Sequence, residues 1–229
     1  MPGPRRSLPE PTLARLPIYQ RIAVEFDRAD RGLILDSTTL GQLAGVAPAT
    51  VRRDLSHLGA LGTRGAGYDP ATLVSRIDEV LGRSTVLDVA VVGMGNLGRA
   101  LVNSSNFLGG VASLAALYDA DPLVIGTQIA GVTVSDIAQG VAPVPMAVIC
   151  TPPEVAQEVA DRFIAAGTHA ILNFAPIVLN APLGVAVRYV DFSIELQILA
   201  YQLMNGTGPL GGGILHTLGI TPPVRRPGS

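Results

Sequence analysis

Six consecutive residues, Gly93-Met94-Gly95-Asn96-Leu97-Gly98, carry the clearest chemical signal in the chain. They follow the β-branched run 86–92 and precede a helical stretch from Arg99. Three glycines at this spacing make a turn that can cradle a diphosphate. Gly93 permits the tight turn, Gly95 lets a pyrophosphate approach the backbone, and Gly98 lets helix and strand pack closely. The helix N-terminus adds unpaired N–H groups and partial positive charge. Asp119 lies 21 residues past Gly98, at the end of the next apolar run, 112–118. A carboxylate there accepts hydrogen bonds from adenine ribose hydroxyls and repels a 2′-phosphate, so NAD(H) is favoured over NADP(H).

No catalytic set accompanies this turn. Hydride transfer usually needs an acid or base near the nicotinamide. The histidines are His57, in the basic N-terminal part, His216, in the Gly/Pro-rich tail, and His169, read as a surface turn before a strand. Cys150 is the only cysteine, beside Thr151-Pro152-Pro153, and nothing near it in sequence would lower its pKa. It reads as a structural thiol, and neither an intrachain disulfide nor a cysteine-based metal site is expected. A cofactor site without chemistry favours sensing over turnover. The alternative is an NAD-dependent oxidoreductase with a regulatory DNA-binding-like domain.

A second constellation lies upstream. Thr50, Arg52, Arg53 and Ser56 fall on one short helix, and Arg64 sits in a Gly-rich stretch, 59–68. Arginine is well matched to guanine edges and phosphates, and an arginine at a wing tip can enter a narrow minor groove. The competing reading is that Arg52-Arg53-Asp54 is a solvated helix face.

The elements that must position these groups follow from pattern. Apolar residues from Leu13 to Phe26 predict an amphipathic helix over 13–29, entered through Pro17. Ser37 and Thr39 are N-cap candidates, and Thr39 with Gln42 suits a capping box. Gly45 ends that helix, and Pro48 opens another over 49–58, giving a helix-turn-helix. A linking helix is expected over 70–82. Beyond it, strands at 86–92, 112–118, 129–134, 144–149, 170–172 and 185–190 alternate with helices, notably 135–139 and 153–166, which means an α/β sheet. The last helix, 190–204, is apolar on nearly every side (Phe192, Ile194, Leu196, Ile198, Leu199, Tyr201, Leu203, Met204) and must be buried all round.

Composition agrees. The 229 residues are 48% hydrophobic and 15% charged, which excludes wholesale disorder. Residues 1–84 hold eleven Arg against nine acids and the remainder five against nine, so a slightly basic front precedes an acidic back. No segment reads as a signal peptide or a membrane span, and a cytoplasmic protein is expected.

Taken together, the segments resemble the Rex family of redox-sensing transcriptional repressors over about residues 12–205. The resemblance rests on Leu16-Pro17-Ile18-Tyr19, Ala49-Thr50-Val51-Arg52-Arg53-Asp54-Leu55-Ser56, the glycine-rich stretch 59–68, the Gly93–Gly98 turn, Tyr118-Asp119-Ala120-Asp121-Pro122, Ile171-Leu172-Asn173-Phe174-Ala175-Pro176 and Val190-Asp191-Phe192. It implies an N-terminal winged helix (12–84), a C-terminal Rossmann domain (85–189), a last helix (190–205) swapped onto a second subunit, and loose ends at 1–11 and 206–229. It further implies a homodimer that holds operator DNA with NAD+ or no cofactor and is released by NADH. Thr151, Pro152, Asn173, Phe174 and Phe192 would join the cofactor cleft, and Arg21 would pair with Asp191 across the subunit interface. Ser104 stands where some members carry a tyrosine of that network, and Ser56-His57-Leu58 replaces an aromatic-rich stretch. No metal is implied.

Overall fold

A computed structural model describes residues 8–29, 34–59, 61, 67–82, 86–104 and 107–205. The chain divides into two compact units, Met1–Gly82 with the residues from Tyr201 onward, and Arg83–Ala200.

The first unit contains α1 (Glu10–Ala29), α2 (Ser37–Ala44), α3 (Pro48–Ser56) and α4 (Pro70–Leu81). The first helix starts three residues before the 13–29 expected, and Pro17 lies within it rather than at its entry. Leu16, Tyr19 and Ala23 form a fully buried stripe, and this packing outweighs the backbone hydrogen bond that proline removes. The cap of α2 is Asp36, not Ser37 or Thr39. Its side chain accepts from the Thr38 and Thr39 amides at 2.8 and 2.7 Å. A carboxylate one residue upstream reaches both orphan donors, which a capping box starting at Thr39 would not. Gly45, at φ 70°, closes α2. A Cβ on Gly41 would lie 2.7 Å from the Val46 carbonyl, so only glycine there lets the turn fold back tightly. Pro48 then opens α3 as expected.

Val51, Asp54 and Leu55 form the buried stripe of α3, and Leu58 is buried just beyond its end. One member is an acid. Asp54 is fully buried and accepts from Thr12 Oγ1 (2.8 Å), Tyr19 Oη (2.8 Å) and both Arg15 Nε (2.6 Å) and Nη2 (2.8 Å). The reading of Arg52-Arg53-Asp54 as one solvated face therefore fails for Asp54, because all its partners come from α1. Leu35 and Tyr68 form an antiparallel bridge at the base of the glycine-rich stretch. Residues 62–66, including Arg64, lie outside the described residues, as do 1–7 and the tail from 206.

The second unit is a seven-stranded sheet in the order β3-β4-β2-β1-β5-β6-β7. Its strands are β1 (Leu87–Val92), β2 (Ala112–Asp119), β3 (Gln128–Ile129), β4 (Val132–Asp136), β5 (Met146–Ile149), β6 (Ala170–Asn173) and β7 (Ala186–Tyr189). All neighbours are parallel except β3 with β4. The single strand expected over 129–134 is a hairpin instead, because Ala130 (φ 50°) and Gly131 (φ 81°) turn the chain in two left-handed residues. The helix expected over 135–139 is a 3₁₀ turn, Ile137–Gln139, capped by Asp136. Along β1, Val89 and Val91 enter one core and Ala90 and Val92 the other, the period of a strand buried on both faces. Helices α5 (Asn96–Val102) and α6 (Pro153–Ala165) follow β1 and β5. Phe163 of α6 meets Tyr118 of β2 edge-on, with ring centroids 5.8 Å apart. Helix α7 (Phe192–Met204) buries no residue. Among the described residues no helix is long and apolar enough to cross a membrane.

Burial pushes the Asp54 carboxyl up, but hydrogen bonds from Arg15, Thr12 and Tyr19 outweigh it and hold the group below the usual carboxylate range. A depressed folded pKa contributes stability above the unfolded value, near ~3.9, and loses it as pH falls through the folded value. Asp54→Ala should cost the first unit about 3 kcal/mol at neutral pH, since it strands a partly buried guanidinium. Urea unfolding should show that gap narrowing in acid below about pH 4; a gap that widens there contradicts the assignment.

Candidate functional site

The sheet order reverses between β1 and β5, and an open α/β sheet binds ligands at the carboxyl ends of such strands. Gly93 ends β1 there at φ 91°. A Cβ on it would lie 2.7 Å from the Cys150 carbonyl carbon and oxygen, so glycine lets the two strand ends meet. A Cβ on Gly98 would lie 2.0 Å from the Gly93 carbonyl oxygen. Gly95 is different. A Cβ there would meet nothing within 4 Å, so the space over its backbone is open. Gly95 sits at the N-cap of α5 and supplies no side-chain cap.

The turn is held from both sides. The Met94 N–H donates to Asp119 Oδ2 at 2.5 Å, and its carbonyl accepts from Arg99 Nε at 2.7 Å. Asp119 Oδ1 accepts from the Ala120 and Asp121 amides at 2.7 and 2.9 Å. The acid thus ties the end of β2 to the glycine turn, and the remaining lone pair of Oδ2 stays available to a ligand hydroxyl. Arg99 was invisible as a site residue in the sequence, where it simply begins a helix.

A cavity of about 740 Å³ opens over this junction. Gly93, Met94, Gly95, Leu97, Asp119, Thr151, Pro152 and Phe174 line it, as sequence reasoning expected of a single cleft. Val124, Ile137, Ala138, Val155 and Val159 add an apolar wall, with the charged Asp121, Glu158 and Arg162 also on the lining. No linear pattern announces these, because they come from the loop after β2, the 3₁₀ turn and α6. Thr151 Oγ1 is buried within the wall and has no hydrogen-bond partner. An orphaned hydroxyl beside an open glycine backbone and a ribose-type carboxylate fits an adenosine diphosphate ligand.

Other candidates take different places. The Asn173 amide donates to the Ala175 and Ile177 carbonyls and accepts from the Ala175 amide, so it builds the loop that carries Phe174. Asn96 starts α5, and Gly98 acts through packing. The Phe174 and Phe192 rings lie 6.4 Å apart, tilted by 40°. Asp191 caps α7, accepting from the Ser193 hydroxyl (2.6 Å) and amide (2.8 Å), which hold its carboxyl below the usual range. Ser104 follows α5 in irregular chain, and Arg21 is exposed on α1. Burial pushes the Cys150 thiol up to about 12, so a nucleophilic thiolate is disfavoured. His169 is exposed.

In the first unit, Arg52, Arg53 and Ser56 are exposed on α3, opposite the buried stripe, and Thr50 is half-buried. Arg52 donates to Ser37 Oγ at 3.0 Å, and Ser56 Oγ donates to the Arg53 carbonyl at 2.6 Å. Exposed arginines on the second helix of a helix-turn-helix are the arrangement that reads a major groove.

Two glycine variants separate fold from binding. Gly98→Ala should destabilise the second unit by about 3 kcal/mol, because the obstacle is backbone. Gly95→Ala should cost less than about 1 kcal/mol yet weaken nucleotide binding at least about tenfold. Thermal unfolding and calorimetric titration measure the two quantities, and equal behaviour of the variants contradicts this division of labour.

Comparison with known proteins converges on one family. The "CoA binding domain" family matches residues 86–177, and the "Putative DNA-binding protein N-terminus" family matches residues 7–56. The redox-sensing transcriptional repressor Rex of Streptomyces griseus is 46% identical over 208 residues, spanning 89% of this chain and 82% of its own. That of Desulfitobacterium hafniense is 40% identical over 202 residues, spanning 86% and 95%. A solved structure of RSP with β-NAD+ and operator DNA matches at TM-score 0.77 and 30% identity, covering 88% of this chain and 94% of its own. RSP with β-NADH matches at 0.77 and 29%, covering 87% and 96%. These relatives are named as repressors, not as enzymes, which sets the oxidoreductase alternative aside. The glycine turn, the acid that ties it down, the arginine-bearing helix and these likenesses agree: the chain belongs to the Rex family of redox-sensing transcriptional repressors.

Proposed function

We propose that this protein represses transcription by reading the NADH/NAD+ ratio, holding operator DNA as a homodimer with NAD+ or no cofactor and letting go when NADH binds. The observation that carries the reading is the cleft at the β1/β5 junction. Open backbone at Gly95, the orphaned Thr151 hydroxyl and the Asp119 carboxylate match the diphosphate, polar and ribose parts of a dinucleotide. RSP, a relative of known structure, binds NAD+ with operator DNA and also binds NADH. NAD(H) supplies no reaction in this role; the two states differ at the nicotinamide ring by one hydride at C4, and with it in charge, aromaticity and hydration.

Thr50, Arg52, Arg53, Ser56 and Arg64 would contact DNA, and the chain would act in the cytoplasm where that DNA is. Helix α7 supports the dimer. Its apolar residues from Phe192 to Met204 are 46–85% exposed in the single chain, a state that water penalises and a second copy relieves. Swapping α7 onto the partner would bring Asp191 toward the partner's Arg21. Phe192, beside Phe174, would then offer an apolar wall to the ring. A neutral dihydronicotinamide settles there more readily than a hydrated pyridinium. A swing from about 1% to 99% in the released state needs roughly 5.5 kcal/mol of differential binding.

Phe192→Ala should weaken the preference for NADH over NAD+ more than it weakens affinity for DNA. Fluorescence anisotropy of a labelled operator duplex, titrated with each cofactor, reads both; DNA binding that collapses while cofactor discrimination persists contradicts the mechanism. Leu199→Arg should convert the dimer to monomer in sedimentation velocity and abolish operator binding; a variant that stays dimeric would remove α7 from the interface.

A further inference from the structure

We infer that Asp54 is a positioning residue for DNA recognition: it sets the rotation and register of α3 on α1, and through them the direction in which the α3 arginines point. This rests on the DNA-binding reading above. Three side chains of α1, at Thr12, Arg15 and Tyr19, converge on the one Asp54 carboxylate from successive turns along one helix face. Both carboxylate oxygens are engaged, Oδ1 by Thr12 and Arg15 and Oδ2 by Arg15 and Tyr19. The Arg15 fork is bidentate, so it fixes orientation as well as distance.

The rest of the α3 contact is different in kind. Val51 and Leu55, with Leu58 just beyond the helix, join the apolar core that all four helices share, and this non-directional burial tolerates sliding and small rotations. Asp54 interrupts an otherwise apolar stripe, where apolar side chains in place of the whole Arg15–Asp54 pair would pack at least as well. A charge kept in that place supplies what leucine does not, a defined angle between α1 and α3. The residues whose aim depends on it are immediate neighbours: Arg52 and Arg53 precede Asp54, and Ser56 follows by one residue beyond Leu55. Base readout needs side chains placed to within hydrogen-bonding tolerance, whereas phosphate attraction does not. Loss of the network should therefore cost sequence discrimination more than overall DNA affinity.

The test compares the full chain with Asp54→Asn and with the double variant Arg15→Met, Asp54→Leu, which replaces the buried pair by apolar side chains. The probes are a palindromic duplex that the unaltered chain selects from a randomised pool, and a duplex of equal length with its bases scrambled. Measurements are made where circular dichroism shows each variant folded. The ratio of the two affinities should fall about tenfold or more in both variants, while affinity for the scrambled duplex changes less than about threefold. The double variant should recover part of the thermal stability that Asp54→Asn loses, since only the Thr12 and Tyr19 hydroxyls are then left without their acceptor, without recovering the ratio, and NADH titration should be unchanged in both. If the double variant recovers stability and discrimination together, or if both duplexes weaken equally, Asp54 is a stabilising group only and the inference falls. If the unaltered chain selects no duplex, the DNA-binding reading itself fails.

Discussion

The backbone of Gly98 lies so close to the Gly93 carbonyl that an added Cβ would sit 2.0 Å from its oxygen. This contact presses the first helix of the second unit onto the end of its first strand. The rest of the site follows from it. With α5 so placed, the Met94 peptide is caught between Asp119 and Arg99, and the end of β2 is tied to the turn. With Gly93 against Cys150, β1 and β5 end side by side and the cleft opens where the strand order reverses. A site of this kind is preorganised, because the backbone that would meet a diphosphate is held by Cys150, Asp119 and Arg99 before any ligand arrives.

The first unit solves a related problem by other means. Glycines at 41 and 45 let α2 and α3 close on a tight turn, and polar contacts to Asp54 orient α3 on α1. Asp54 carries a burial cost and returns directional hydrogen bonds to three turns of α1. Tyr19 feels the same environment, since burial first and the Asp54 carboxylate second push its phenol well above the ordinary value. The hydroxyl therefore remains a donor across the whole physiological range. Fold and recognition surface are thus held by one network, while the cofactor cleft is held by close backbone contact.

What was legible in the sequence had a local cause. The glycine turn, Asp119 at a strand end, Pro48 at a helix start and Gly45 at a helix end each act within a few residues, and the order of segments carried the family. What escaped depended on distant partners. Asp54 looked like part of a charged face because its neighbours in sequence are arginines, whereas its neighbours in space are on α1. Pro17 looked like the entry to the 13–29 helix because its missing donor is a local property, whereas the buried stripe that carries α1 through it is not. The apolar wall at Val124, Ile137 and Val155 is assembled from separate loops and helices and leaves no linear pattern. The hairpin at Ala130-Gly131 escaped because an alanine rarely adopts φ 50°.

The central claim is that one cofactor's redox state decides whether DNA is held. It is tested most directly by forming the complex of the full chain with its selected operator duplex and titrating it with NADH and, separately, with NAD+, following anisotropy of the labelled DNA. The account predicts that NADH releases the duplex at concentrations where NAD+ leaves it bound. Release by both cofactors alike, or by neither, would contradict it.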